Sequence, residues 1–203
     1  MSARSWKPLD SISAYYYSSG AVAFSGVLAA LAVYLLTYRG YRNQHGAQDR
    51  LTGWTAGVAA IVVATFPTPP DSRLGWYAGW IGVVHYAAAT VLFTCFAVFS
   101  LFLFTRSAPG VSSRGKQGRN LVYRICGFAI VICLLWIAIF HAHPIFLPET
   151  LALVFFAASW LIKGRVDHTV VALGTRAARY RRDPRKLIAD VSGNVRRLSG
   201  KPN

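Results

Sequence analysis

The sequence predicts an all-α, polytopic membrane protein, and two observations support this prediction. The 203 residues are 54% hydrophobic and only 14% charged, whereas soluble domains carry about 25% charged residues. The charges are also segregated, because long charge-free runs alternate with short basic ones. A run of about 20 apolar residues crosses a bilayer as a helix. We therefore expect a five-span transmembrane helical bundle over residues 15–163, with an outer lead (1–14) and a basic amphipathic tail (164–203).

The apolar runs and their breaks give the five helices. They are predicted at residues 15–38, 51–66, from a start between 75 and 79 to 104, 121–140 and 145–162. Pro67 ends the second helix, because proline lacks an N–H and clashes with the preceding turn. Small residues recur at helical spacing on the first two helices, which predicts close packing between helices. These residues are Ser18, Ser25, Ala29 and Ala32, then Gly53, Gly57, Ala60 and Ala64.

The charge distribution predicts how the chain is oriented. Five spans put the N-terminus and the loops at 67–75 and 141–147 on one side, with three basic and three acidic residues. The other side then carries nineteen basic and four acidic residues, which is the whole net charge of +15. Cytoplasmic loops of membrane proteins are rich in Lys and Arg. The sequence therefore predicts a bacterial inner-membrane protein with an outer N-terminus and a cytoplasmic C-terminus.

The basic excess favours membrane lipids as partners rather than nucleic acid, because no nucleic-acid-binding motif is present. Solvated cytoplasmic loops explain the same excess. In the tail, five apolar residues share one helical face, with basic residues opposite: Leu187, Ile188, Val191, Val195 and Leu198 against Arg185, Lys186, Arg196 and Arg197. This pattern predicts a helix that lies on an anionic lipid surface. A helix packed on a partner, or a frayed tail, is the alternative.

One ionisable side chain, His85, lies in the otherwise uncharged stretch 79–104. An ionisable group inside a membrane is costly, so it is a functional-site hypothesis by default. We expect His85 to face the bundle and to pair with Asp71, Tyr15 or Ser18. The predicted topology brings Glu149, His141 and His143 to the same outer side.

Three hypotheses explain this outer group. The first is a pocket for a lipid or another hydrophobic molecule, lined by His85, Asp71, Tyr15, Ser18 and Glu149. The second is a metal site of His85, His141 and His143, since His and carboxylates bind zinc in hydrolytic centres. The third is structural: His85 donates to a carbonyl or hydroxyl, Asp71 caps the third helix, Glu149 meets the dipole of the fifth, and His141 and His143 cap the fourth.

The functional prediction follows from the first hypothesis. We expect a non-enzymatic binding or accessory membrane protein. The alternative is an intramembrane metal-dependent hydrolase that acts on a lipid. The sequence identifies no cofactor.

Several short motifs occur in a fixed order along the chain. They are Ser11-Ile12-Ser13-Ala14-Tyr15-Tyr16, Tyr38-Arg39-Gly40-Tyr41, Phe66-Pro67-Thr68 with Asp71, His85, Arg119-Asn120 with Tyr123-Arg124, Ser159-Trp160 and Lys163-Gly164. Together they resemble a family of small bacterial integral membrane proteins defined as a domain of unknown function. The resemblance covers about residues 10–165 and implies a compact helical bundle.

In that family a further span precedes the first motif, whereas ten residues precede it here. We therefore expect a partner membrane subunit or a second copy of the chain to close the pocket. A looser similarity links the chain to membrane hydrolases of the alkaline-ceramidase type, which use intramembrane His, Asp and Ser. Their His-x-x-x-His motif does not align here, so no residue role is carried over.

Overall fold

A computed structural model of the chain describes residues 8–38, 46–72, 74–106, 114–140 and 144–163. These residues form helices and contain no strand, so the all-α prediction is confirmed for them. The order is a 3-10 helix at Ser13–Tyr17, α1 at Ala21–Thr37, α2 at Gly46–Thr65, α3 at Gly79–Val98, a π-helical turn at Phe99–Leu103, α4 at Arg114–Phe140 and α5 at Phe146–Lys163.

Three of the described helical segments are long and apolar enough to cross a membrane: Gly79–Leu103, Gln117–Phe140 and Phe146–Lys163. Only 39%, 28% and 22% of their most apolar windows are buried by the protein. Such extensive uncovered apolar surface is typical of contact with a membrane. Helix α1 is apolar but shorter. Helix α2 is not among the three, and its first five residues include Gln48, Asp49 and Arg50.

Three predicted helix starts are wrong. The first helix does not begin at residue 15, because Ser18 adopts an extended conformation and α1 starts at Ala21. The Ser18 hydroxyl donates to the Tyr15 carbonyl and accepts the Gly20 N–H, and such local bonds compete with helix formation. Helices α2 and α4 instead begin five and seven residues earlier than predicted, at 46 and 114. Their first turns are polar, and hydropathy marks only the apolar part of a helix.

Helix α2 packs on both α1 and α3, as its small residues predicted. Gly53, Gly57 and Ala60 are buried. A Cβ atom added at Gly57 would lie 2.6 Å from Leu36 Cγ, so the close approach of α1 requires glycine there. The predicted stripe on α1 is only partly used. Ala32 is buried, but Ala29 is exposed and Ser18 lies outside the helix.

Aromatic rings join α1, the end of α3 and α5. We call these rings the aromatic cluster: Tyr34, Tyr38, Phe96, Phe99, Phe104, Tyr123, Phe156 and Trp160. Phe96 and Phe156 stack with centroids 3.8 Å apart and planes 12° apart. Trp160 contacts Tyr34, Tyr38, Phe99 and Phe104 at centroid distances of 5.1, 5.1, 5.5 and 5.2 Å. Its indole N–H also donates to the Tyr34 hydroxyl.

Candidate functional site

The candidate site is built around the backbone carbonyl of Phe66, the residue that follows the end of α2. In a continuing helix, the Phe66 carbonyl would accept the N–H of residue 70, but Pro70 has none. A helix-end carbonyl that is removed from water needs another donor. His85 supplies it, because Nδ1 of its ring lies 2.6 Å from the Phe66 oxygen.

This bond determines the tautomer of His85. A carbonyl oxygen can only accept, so Nδ1 carries the proton and the neutral ring presents Nε2 as an acceptor. The Ser13 hydroxyl lies 3.0 Å from Nε2 and therefore donates to it. His85 is only 2% exposed. The expectation that His85 faces the bundle is confirmed.

The predicted partners of His85 are wrong. Asp71 is exposed, and the third helix is capped at Ala78 without a side-chain bond, so Asp71 does not cap it either. Tyr15 packs its ring against Phe146, with centroids 6.4 Å apart. Among the described residues, the Ser18 hydroxyl bonds within its own turn, to Tyr15 and Gly20. A carboxylate keeps its hydration by staying exposed, whereas a serine hydroxyl is easily buried once it is bonded.

Two reciprocal bonds attach the N-terminal segment to the start of α5. The Ile12 N–H donates to Glu149 Oε2 at 2.6 Å, and the Phe146 N–H donates to the Asp10 carbonyl at 2.8 Å. The first turn of a helix has N–H groups without helical partners, and Asp10 satisfies one of them. Glu149 lies in that first turn, where an acidic group is favourable, as predicted. We call Ile12, Ser13, Phe66, His85 and Glu149 the polar cluster.

The loop after α2 is held at the same end of the bundle. The Tyr17 hydroxyl donates to the Thr68 carbonyl at 2.7 Å. Burial, together with smaller contributions from the neighbouring Tyr77 and Tyr16, raises the pKa of Tyr17 to about 12. The loop lies directly on α3, because a Cβ added at Gly82 would be 2.8 Å from Pro69 Cγ. The space left by this glycine brings the Phe66 carbonyl within reach of α3.

A cavity of about 750 Å³ lies between α3, α4 and the start of α5. Ligand pockets commonly have volumes of about 300–1,000 Å³. Most of its described lining is apolar, and Glu149 is the only carboxyl group among the described lining residues. The lining residues are Tyr86, Ala89, Thr90, Phe93, Thr94, Ala97, Val131, Leu134, Leu135, Ile137, Ala138, Ile145 and Glu149.

Of the predicted ligand-binding residues, Glu149 lines this cavity, whereas His85, Asp71, Tyr15 and Ser18 do not. Sequence reasoning missed the polar residues of the α3 wall, although a signal was present. Tyr86, Thr90 and Thr94 are four residues apart, which places three hydroxyls on one helix face. The α4 wall had no comparable signal, since its lining residues are apolar like the whole stretch 125–140 of that helix.

The Ser13–His85 pair has the geometry of a serine that is activated by an imidazole. However, Ser13 is 8% exposed and His85 is 2% exposed, and neither lines the cavity. A nucleophile has to reach its substrate. We therefore interpret the pair as a structural link between the 3-10 helix, the end of α2 and α3.

The described residues contain no group of three or more His, Cys, Asp or Glu side chains that could hold a metal ion. Of the predicted metal ligands, His141 and His143 lie outside the described residues. The basic residues of the predicted lipid-surface helix, Arg185, Lys186, Arg196 and Arg197, also lie outside them.

Comparison with known proteins gives no further assignment. No family model, no curated protein and no solved structure matches this chain. The resemblance to a family of small bacterial membrane proteins therefore stays a prediction, and a functional assignment has to rest on the cavity and the two clusters.

Proposed function

We propose that this chain is a multi-pass membrane protein that binds a lipid or another hydrophobic small molecule in the cavity between α3 and α4. The observation that carries the proposal is the cavity itself, with about 750 Å³ of space and a mostly apolar wall. An apolar cleft with a few polar groups is the usual form of a small-molecule site. Here the polar groups are the hydroxyls of α3 and the carboxyl group of Glu149.

Filling the cavity tests this function. Ala89 lines the cavity, whereas Ala87, two residues earlier on the same helix, is exposed and does not. The variant Ala89→Phe should lose the co-purified hydrophobic molecule that native mass spectrometry detects on the wild-type protein. The matched control Ala87→Phe should retain it. Equal retention by both variants, or no bound molecule on the wild type, would contradict the proposal.

We also propose five membrane spans, with the N-terminus outside and the C-terminus in the cytoplasm of a bacterium. The charge split of zero against +15 supports this orientation. A reporter that is active only outside the inner membrane, fused after Asn203, should give no signal. A strong signal would reverse the orientation and put the polar cluster on the cytoplasmic side.

Closure of the cavity by a partner membrane subunit or a second copy of the chain belongs to the same proposal. The mass of the complex extracted in a mild detergent tests it, and a monomeric mass would contradict it. Lipid hydrolysis at a metal centre has no supporting observation among the described residues.

A further inference from the structure

Glu149 gives the cavity a definite chemical preference. It is the only carboxyl group among the described lining residues, which include no Lys, Arg or His. The bond from the Ile12 N–H uses Oε2 and holds the side chain in place. A carboxylate can accept several hydrogen bonds through its two oxygens, so this one bond leaves acceptor capacity for a ligand.

A carboxylate withdrawn from water is costly, and either a proton or an opposite charge offsets that cost. The described residues of the wall supply no such charge. Two aromatic rings, those of Tyr86 and Phe93, line the same cavity. Aromatic faces attract ammonium groups, most strongly where water is excluded. The charge and the rings therefore favour the same kind of ligand.

We propose that the cavity takes an amphiphile with a cationic nitrogen, whose ammonium head pairs with Glu149 and whose alkyl chain lies between α3 and α4. This inference rests on the proposed function and adds the class of ligand. A phospholipid head group fits less well. Its phosphate would bring a second negative charge to Glu149, and no basic side chain among the described lining residues would pair with that phosphate.

The test compares four probes, each with a single saturated twelve-carbon chain, on the full-length protein in a neutral detergent. They are dodecyltrimethylammonium, dodecanol, dodecanoate and dodecylphosphocholine. Native mass spectrometry measures the occupancy of each. We expect the cationic probe to bind about tenfold more tightly than the neutral alcohol, a factor that corresponds to about 1.4 kcal/mol. Dodecanoate and dodecylphosphocholine should bind more weakly than the cation.

Two variants connect this preference to one side chain. Glu149→Gln retains an oxygen for the Ile12 N–H but removes the charge, so it should bind the cation and the alcohol equally. Asp71→Asn removes a carboxylate from an exposed loop position and should keep the wild-type preference. If Glu149→Gln also kept the preference, the inference would be overturned.

The outcomes separate this inference from the proposed function. If the wild type bound all four probes equally and Ala89→Phe bound none, the cavity would be a binding site and the cationic preference would be wrong. If the wild type bound none of them, both would be wrong. If Glu149→Gln did not fold, the order of binding by the wild type would decide, because tighter binding of dodecanoate than of the cation would overturn the inference.

Discussion

The polar cluster and the aromatic cluster lie at opposite ends of α3 and α5 and hold these helices by different interactions. His85 and Phe99 are fourteen residues apart on the same helix, roughly 20 Å along its axis. At the first end, hydrogen bonds join groups far apart in sequence, such as Ser13 to His85 and Ile12 to Glu149. At the second end, rings pack on one another, and Phe96 stacks on Phe156.

The contrast between hydrogen bonds and ring packing indicates which interactions make the fold specific. Lipid tails are as apolar as phenyl rings, so a ring that loses its protein neighbours still finds a suitable environment. A hydrogen-bonding group that loses its partner within a membrane finds no water to replace it. The polar cluster therefore has stricter requirements for its partners than the aromatic cluster. Four predictions test this comparison, from the largest expected effect to the smallest.

Replacing His85 by Leu should have the largest effect, because it removes two hydrogen bonds at once. The Ser13 hydroxyl and the Phe66 carbonyl would both lose their partner, at about 1–3 kcal/mol for each buried group left unsatisfied. The free energy of unfolding, measured by SDS titration in mixed micelles, gives this cost. The double variant with His85→Leu and Ser13→Ala should lose less stability than the two single variants lose in sum, because the second change removes one of the unsatisfied groups. An unchanged stability of His85→Leu would show that the polar cluster contributes nothing.

Phe156→Ala should come next. Phe156 is 6% exposed and stacks on Phe96, and removing a buried Phe costs about 3–5 kcal/mol in soluble proteins. In a membrane we expect a smaller cost of about 2 kcal/mol. The phenyl ring has apolar surroundings whether it contacts protein or lipid, so the substitution removes only its packing contacts. Phe128→Ala is the control, because Phe128 is 60% exposed. Equal costs for the two variants would show that the aromatic cluster adds no specific packing.

The close approach of α1 and α2 supports the aromatic cluster, which includes Tyr34 and Tyr38 at the end of α1. Gly57→Ala would put a Cβ 2.6 Å from Leu36 Cγ and 3.1 Å from the Ala32 carbonyl oxygen. Forcing these helices apart should cost about 1–2 kcal/mol, the lower part of the range for an overpacked contact. Gly26→Ala on α1 is the control, because nothing lies within 4 Å of its added Cβ. The thermal midpoint in detergent should fall for the first variant only, and a fall for neither would disprove the tight contact.

The smallest effect is a pH dependence at the polar end. The pKa of Tyr17 is about 12 in the folded chain, against an ordinary value of 10.0. The folded state therefore holds this proton more tightly than the unfolded state. The contribution of Tyr17 to the free energy of unfolding is fully present below about pH 10 and is lost as the pH rises toward 12. Tyr17→Phe should reduce this alkaline loss. Unfolding midpoints between pH 8 and 12 measure it, and identical profiles for variant and wild type would contradict the raised pKa.

Much of the fold could be predicted from the sequence, because apolar runs and prolines act locally. The runs around α3, α4 and α5 are long enough to identify membrane-spanning helices from composition alone. The small residues of α2 predicted close packing between helices, and α2 packs on two neighbours. The charge-free surroundings of His85 indicated that it faces the protein, and its burial agrees.

The partners of these groups were decided only by the tertiary structure. His85 bonds to Ser13 and to Phe66, which are 72 and 19 residues away along the chain. Pro70 indicates that the Phe66 carbonyl has no helical donor, but only the tertiary structure shows that His85 is the group that donates to it. Asp71 was the more obvious partner by charge, yet it stays exposed because the loop before α3 keeps its carboxylate in water.

The cavity shows the same division between local and long-range information. The sequence by itself determined that Glu149 lies in the first turn of α5 and that three hydroxyls share one face of α3, because helical spacing is a local property. Only the tertiary structure decided that this face, α4 and Glu149 surround one space of about 750 Å³. The distance between helices depends on side-chain volumes summed over every contact, and no single segment of sequence contains that sum.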